Sequence, residues 1–550
     1  MKDIRIRDVI GPVMIGPSSS HTAGALRIAL MAQKLIAGTP TSVTFKLYGS
    51  FAHTYNGHGT DKALLAGILG MQPDDEEIRN SFEIARKRGL DFTFIPVTDI
   101  ECDHPNTVDI FLTNIAGDTC FVRGESIGGG AAVIRQIDGV DVRLSGDYHS
   151  IVVKQHDVKG VLAHIATCMG IFDINIATTR LFRERKGDIA YTIMETDEPI
   201  PSSIIPKIAT NPHIISVRII ERDNADALGA SYAHAPAEPI EPALSAEEIA
   251  REREIYDFTT GQELSELCHT HNLTISQAML KREEILAAEA GETYCNTHTY
   301  LEYALDVMHD SAHNPIINPV SSMGGLIGGE AKKLSEYESH SLCDPLLARA
   351  TTYAMAVLET NASMGRIVAA PTAGSAGVIP SMLLACKDIH HITRETLISA
   401  LANAAAIGYL ITRNATVSGA EGGCQAEVGA ASAMAASAAV EMMGGTPEQC
   451  LNAAGNAIAG ILGLVCDPIA GLVEAPCQKR NATGVANALV SAQMALAHIG
   501  NIVDFDQTVD AMYAVGRSLP FELRESALGG LAATPAACSF CQESCTGSCK

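Results

Sequence analysis

The chain has 550 residues, 47% of them hydrophobic and only 19% charged, with abundant Gly and Ala and no Trp. That length and mix predict more than one domain, with closely packed helices touching through small residues. A net charge of −24 argues against a nucleic-acid partner, because neutralising phosphates requires clustered Lys and Arg.

The N-terminus, MKDIRIRDVIGPVMIG, mixes charges into its apolar positions and lacks the continuous apolar core of a signal peptide. Residues 1 to about 148 alternate β-prone runs (SVTFKLYG, DIFLTN, TCFVRG) with the helical run HTAGALRIALMAQKLI, predicting an α/β domain. Residues 150–222 read as a unit of their own in the order βαββαβ, which is ferredoxin-like. Gly160 stands at the tight turn between its first strand and helix. Residues 223–245, rich in Ala and Pro, read as a linker. Ser245 and Glu248 then form a capping box at the start of a helix. Residues 246–535 are predicted all-α, with Ala-rich helices such as AASAMAASAAVEMM fully buried. The longest apolar stretch, 453–473, is broken by Asn456, Asp467 and Pro468, which favours a buried helix and loop over a membrane span. The tail, 536–550, ends in CSFCQESCTGSCK. No membrane is expected as a partner, and the cytoplasm is the expected compartment.

The 15 cysteines read as thiols, metal ligands or redox groups rather than a disulfide framework. Cys168, Cys343 and Cys386 are expected as buried small hydrophobes. Cys424 follows a Gly pair that should precede a helix, whereas Cys466 and Cys477, flanked by Pro468 and Pro476, should lie in an irregular loop. Spacing alone leaves these three either as core thiols or as a grip on three irons of a cubane cluster. Ser18, Ser19, Ser20, His21 and Thr22 precede an amphipathic helix. They read either as an anion site, where a substrate carboxylate would fit, or as a simple cap. Asn56-Gly57-His58-Gly59-Thr60-Asp61 offers a histidine whose ordinary pKa suits proton transfer and an aspartate that could orient it, or else a solvent-facing turn. Ser126-Ile127-Gly128-Gly129-Gly130 would present backbone N–H groups to a substrate or form a tight turn. Gly324–Gly329 lacks the spacing and preceding strand of a phosphate loop.

The strings NATVSGAEGGCQAEVGAASAMA, GLVCDPIAGLVEAPCQKRNA and APTAGSAGVIPSML resemble the α part of bacterial iron–sulfur L-serine dehydratases. The strings IGPSSSHTAGALRIA, YGSFAHTYNGHGTDKA and SIGGG resemble the β part, and residues 150–222 resemble an ACT domain. The resemblance covers nearly the whole chain. It implies a [4Fe–4S] cluster on Cys424, Cys466 and Cys477, with the fourth iron open as a Lewis acid toward L-serine. It makes His58 the candidate base for the Cα proton, with His21 in reserve, and turns the Ser18–Thr22 loop into the carboxylate site. Pyridoxal phosphate is not expected. A homodimer is, and the ACT-like domain reads either as the site of an amino-acid effector or as a dimerisation or packing module with no ligand.

Family members can end in a cysteine that caps the open iron, and Cys538 lies at the matching distance after Gly529-Gly530-Leu531-Ala532. This chain departs by continuing through Cys541, Cys545 and Cys549, and Ala373 and Ser375 also differ from some relatives. Two other readings stand beside serine deamination: β-elimination from L-threonine or L-cysteine, and an amino-acid sensor whose cysteines are structural.

Overall fold

The computed structural model describes residues 3–100, 102–183, 185–222, 245–290 and 295–544. The 223–244 stretch of the expected linker lies outside them. The chain divides into two compact units, Ser20–Ala233 and Met1–Ser19 together with His234–Lys550. The first residues are thus not part of the α/β unit that follows them, in contrast to a domain running from residue 1 to 148.

In the Ser20–Ala233 unit, a six-stranded sheet has the order Asp91–Val97, Pro40–Tyr48, Thr107–Asn114, Thr119–Gly128, Ala131–Ile137 and Val140–Leu144. The first two strands run parallel and the other neighbours antiparallel. Val43, Phe45 and Leu47 alternate inward along one strand, as a half-buried strand requires. The helix Ala25–Leu35 covers the sheet, and the helix Thr60–Ile68 packs on it. Gly67 permits that approach, since a Cβ there would lie 2.5 Å from the Leu26 carbonyl.

Residues 149–220 of the same unit form a four-stranded antiparallel sheet in the order Ile214–Ile220, His149–His156, Ile189–Thr196 and Thr178–Arg183. Helices Val161–Ile171 and Ile204–Ile208 complete the sequence βαββαβ. Gly160 caps the first helix at φ 90°, a left-handed position that suits glycine. Ile151, Val153, Ile165 and Met169 form a core with these helices. Val152, Tyr191 and Ile193, on the other face, join the core of the six-stranded sheet instead.

The second unit is helical. Its centre is the helix Ala430–Met442, buried along every residue from Ala430 to Val440. Around it pack Arg394–Asn414, Pro447–Gly460 and Cys477–Leu496. Ala side chains at these contacts let the backbones approach closely. Arg394–Asn414 is long and apolar enough to cross a membrane, but 78% of its most apolar stretch is buried inside the protein. Ser245 and Glu248 close a capping box at the start of Ala246–Tyr256. The N-terminal segment is built into this unit. Val13–Ile15 pairs antiparallel with Arg366–Val368, and Arg5 meets Glu283 in an ion pair at 2.7 Å with both side chains buried.

Candidate active site

One cavity of the helical unit is lined by Cys424, Cys466 and Cys477 together with Ser18, Gly374, Glu427 and Glu525. Each cysteine reaches it through a local break in regular structure. Cys424 follows Gly423, whose φ of 75° favours glycine, and leads into the π-helical turn Gln425–Gly429. Such turns interrupt helices at functional positions. The Gln425 N–H donates to the Leu464 carbonyl at 2.9 Å, tying this turn to the chain just before Cys466. Cys466 and Cys477 are separated by the short turn Ile469–Gly471, where Ala470 has φ 55°. Cys477 opens the helix Cys477–Leu496, a position that favours a thiolate.

The sequence pattern pointed to none of the charged groups around the thiols. Glu427 lies one turn after Cys424. Glu525 arrives from the far end of the chain because the Cys466 N–H donates to the Leu523 carbonyl and the Glu525 N–H donates to the Cys466 carbonyl, at 2.9 and 2.8 Å. Glu427, Asp467 and Arg480 stood in motifs already quoted, and Glu525 did not. Burial pushes the Glu427 carboxyl up to about 7. Burial, then the Glu427 and Cys424 charges, push Glu525 well above the usual range. A hydrogen bond with Cys424, then burial, raises Cys466. Burial, then the Cys424 charge, raises Cys477. Arg480 supplies the nearby positive charge, 3.6 Å from Cys424 Sγ and 2.7 Å from Asp467. A cavity that gathers three thiols and two carboxylates is chemically suited to a cationic group with sulfur ligands. The donor set fits an iron–sulfur cluster held at three corners.

Two buried asparagines hold the loops that frame this cavity. Asn361 donates to the carbonyls of Ala373 and Pro17, and Asn481 donates to that of Gly374 at 2.8 Å. Ala373 and Ser375 are buried at the two ends of a short turn whose middle residue, Gly374, lines the cavity. Gly324–Gly329 serves the site indirectly. Its Gly324 and Leu326 N–H groups donate to Glu474, from the loop between Cys466 and Cys477, at 2.7 and 2.9 Å.

The serine loop is buried along its whole length, not a flexible solvent loop. Its residues divide between the units: Ser18 and Ser19 belong to the helical one, and Ser20, His21 and Thr22 to the other. Ser19–Gly24 forms a π-helical turn leading into Ala25–Leu35. Within the α/β unit, the His21 ring stands edge-on to His58 at 4.3 Å between centroids. His21 Nε2 lies 2.8 Å from Ser50 Oγ, and Thr22 donates to the His58 carbonyl at 2.7 Å. His58 is fully buried. Among the described residues neither of its ring nitrogens has a hydrogen-bond partner, and burial lowers its pKa to about 4. Burial, then His58, lowers His21 as well.

Asp61 does not orient His58. Its carboxylate accepts from the Lys62 N–H at 2.7 Å in the first turn of Thr60–Ile68, where helix geometry favours an acid. Burial raises its pKa to about 6. Ser126 is buried and donates to the Ser20 carbonyl at 2.7 Å, so it supports the serine loop. Gly24 makes room for it, since a Cβ there would fall 2.1 Å from Ser126 Oγ. Gly128, Gly129 and Gly130 all have positive φ and form the turn between two adjacent strands. Cys538 is exposed, lies 3.9 Å from the Ala532 carbonyl, and is not on the cavity wall. The side chains of Cys541, Cys545 and Cys549 lie outside the described residues. Cys168 and Cys386 are buried as expected, but Cys343 is exposed, because it sits in the loop ahead of Pro345–Ala362.

A family model described as "Serine dehydratase alpha chain" matches residues 270–532, and one described as "Serine dehydratase beta chain" matches residues 10–136. The "Probable L-serine dehydratase, alpha chain" of Bacillus subtilis is 46% identical over 280 residues, half of this chain and 92% of its own. The "L-serine dehydratase, beta chain" of Peptoniphilus asaccharolyticus is 37% identical over 221 residues, 40% of this chain and all of its own. The "L-serine dehydratase" of Streptomyces coelicolor is 30% identical over 535 residues, covering 94% of this chain and 96% of its own. The chain therefore belongs to the serine dehydratase family, with the parts that match the α and β chains joined in one polypeptide.

Proposed function

We propose that this protein is an L-serine dehydratase, a lyase that releases ammonia and pyruvate, with a [4Fe–4S] cluster on Cys424, Cys466 and Cys477. The observation that carries this reading is the convergence of those three thiols with Ser18 on one cavity. When bound, the cluster supplies a Lewis acid that makes the substrate hydroxyl a better leaving group. The Ser18–Thr22 segment receives the substrate carboxylate through hydroxyls and N–H groups of a helix start. His58 takes the Cα proton. It is neutral at physiological pH because burial opposes its charge, and its one unprotonated ring nitrogen, without a hydrogen-bond partner, is available to accept. His21 and Ser126 hold the serine loop and its surroundings in place. The aminoacrylate released by loss of water tautomerises and hydrolyses to pyruvate and ammonia.

The βαββαβ region is ACT-like in this reading and takes a small amino-acid effector. The active form is a cytoplasmic homodimer. The test is iron and sulfide content together with L-serine deamination, all without oxygen. Cys424→Ser should lower both iron content and turnover. A variant retaining full iron and full activity would sink the assignment.

A further inference from the structure

We propose that Arg480 is a positioning residue of the cluster site: it ties the three cysteine segments together and donates a hydrogen bond to Cys424 Sγ that steadies the charge of the bound cluster. The inference rests on the reading that Cys424, Cys466 and Cys477 hold a [4Fe–4S] cluster. Arg480 stands one turn after Cys477 on the helix Cys477–Leu496. Its Nη1 lies 3.6 Å from Cys424 Sγ and donates to the Val465 carbonyl at 2.9 Å. The same nitrogen is 2.7 Å from the Asp467 carboxylate. Val465 and Asp467 flank Cys466. One side chain from the helix of the third cysteine thus reaches the first cysteine and both neighbours of the second.

The clamp is held in place. The Arg480 side chain is only 14% exposed and that of Asp467 3%, and charges so enclosed persist when paired. Asp467 is fixed in turn, because its Oδ2 accepts from the Leu531 N–H at 2.6 Å. Gly530 leaves room for that bond, since a Cβ there would fall 2.2 Å from the same oxygen. Among the described residues on the cavity wall there is no Lys or Arg. Arg480 therefore meets sulfur without occupying the space a substrate needs.

The chemistry asks for a cation at this place. Three thiolates outweigh the positive charge of an oxidised [4Fe–4S] core, and reduction adds one negative charge more. Hydrogen bonds to the sulfurs and nearby charge set the reduction potential of such a cluster. A guanidinium suits the role better than an ammonium, because its rigid fork serves several acceptors and it stays charged when enclosed.

Hyperfine sublevel correlation spectroscopy tests this on anaerobic, dithionite-reduced protein carrying arginine labelled with 15N in its guanidinium. The wild type should show an arginine 15N coupling to the cluster. Arg480→Met should lose that coupling, hold the cluster at a lower midpoint potential and release iron to a chelator several-fold faster. Absence of the coupling in the wild type, its persistence in Arg480→Met, or a wild-type potential in that variant would overturn the proposal. The wild-type spectrum decides it even if Arg480→Met does not assemble. Failure of the wild type to hold iron and sulfide at all would instead refute the cluster reading itself.

Discussion

His58 shows how a single buried side chain constrains both chemistry and stability. A buried polar atom without a partner is costly, so a fully buried histidine with two open nitrogens signals a functional demand. His58→Asn keeps the size and polarity but removes the base proposed for the Cα proton. It should lower kcat about 10²- to 10⁴-fold, with iron content unchanged. A variant with wild-type kcat would transfer the base role to His21. The same residue links stability to pH. Its pKa falls from 6.5 to about 4 on folding, so the unfolded chain binds more protons between those values. Stability from neutral His58 is therefore fully present above about pH 6.5 and is lost as pH falls toward 4. The full loss is on the order of 3 kcal/mol. Thermal melts at pH 7 and pH 5 should show a larger drop for wild type than for His58→Asn, and equal drops would contradict the assignment. The sequence made His58 visible because glycines flank it. It could not show that Asp61 turns to the Lys62 N–H, since side-chain direction in a first helical turn is set by the fold.

At the scale of elements, local signals were legible and long-range ones were not. Ser245 with Glu248 and Gly160 before a helix announced themselves, because a cap or left-handed turn is satisfied by its immediate neighbours. The Ala-rich helix Ala430–Met442 was legible because its composition and periodicity are local. Glu525 was hidden because strand-like pairing with Cys466 brings it to the cavity across 59 residues of chain. The N-terminal segment was hidden too, since nothing in MKDIRIRDV names a partner in the far helical unit. Arg5 donates to Glu283 at 2.8 Å, and Glu283 also accepts from the Ile6 N–H. Both side chains are buried, so removing one takes a buried ion-pair partner from the other. Glu283→Gln should destabilise the helical unit by about 3–5 kcal/mol. Replacing both, Arg5→Met with Glu283→Leu, should recover most of that loss. Urea unfolding of the three proteins decides the point. Equal midpoints would mean that the pair adds nothing.

At the scale of the whole molecule, the division of the chain explains how one polypeptide can match two. The β-type match begins at residue 10, yet residues up to Ser19 belong to the helical unit. An N-terminal arm of the β-type part is thus built into the α-type part by the strand pair at Val13–Ile15, the Arg5–Glu283 ion pair and the Tyr300 hydroxyl bonded to the Ile10 carbonyl. An association of this kind needs no covalent link between residues 222 and 245. A chain cut at a protease site placed there should therefore remain together. The two fragments should co-elute at the intact mass on size exclusion, keep their iron and deaminate L-serine at a rate close to that of the uncut chain. The same cut in an Arg5→Ala variant should give partial separation, because the buried Glu283 loses its ion-pair partner and the arm loses an anchor. Fragments that part in the wild-type background would show that the arm does not hold the units together, and the linker would then be what keeps both halves in one enzyme.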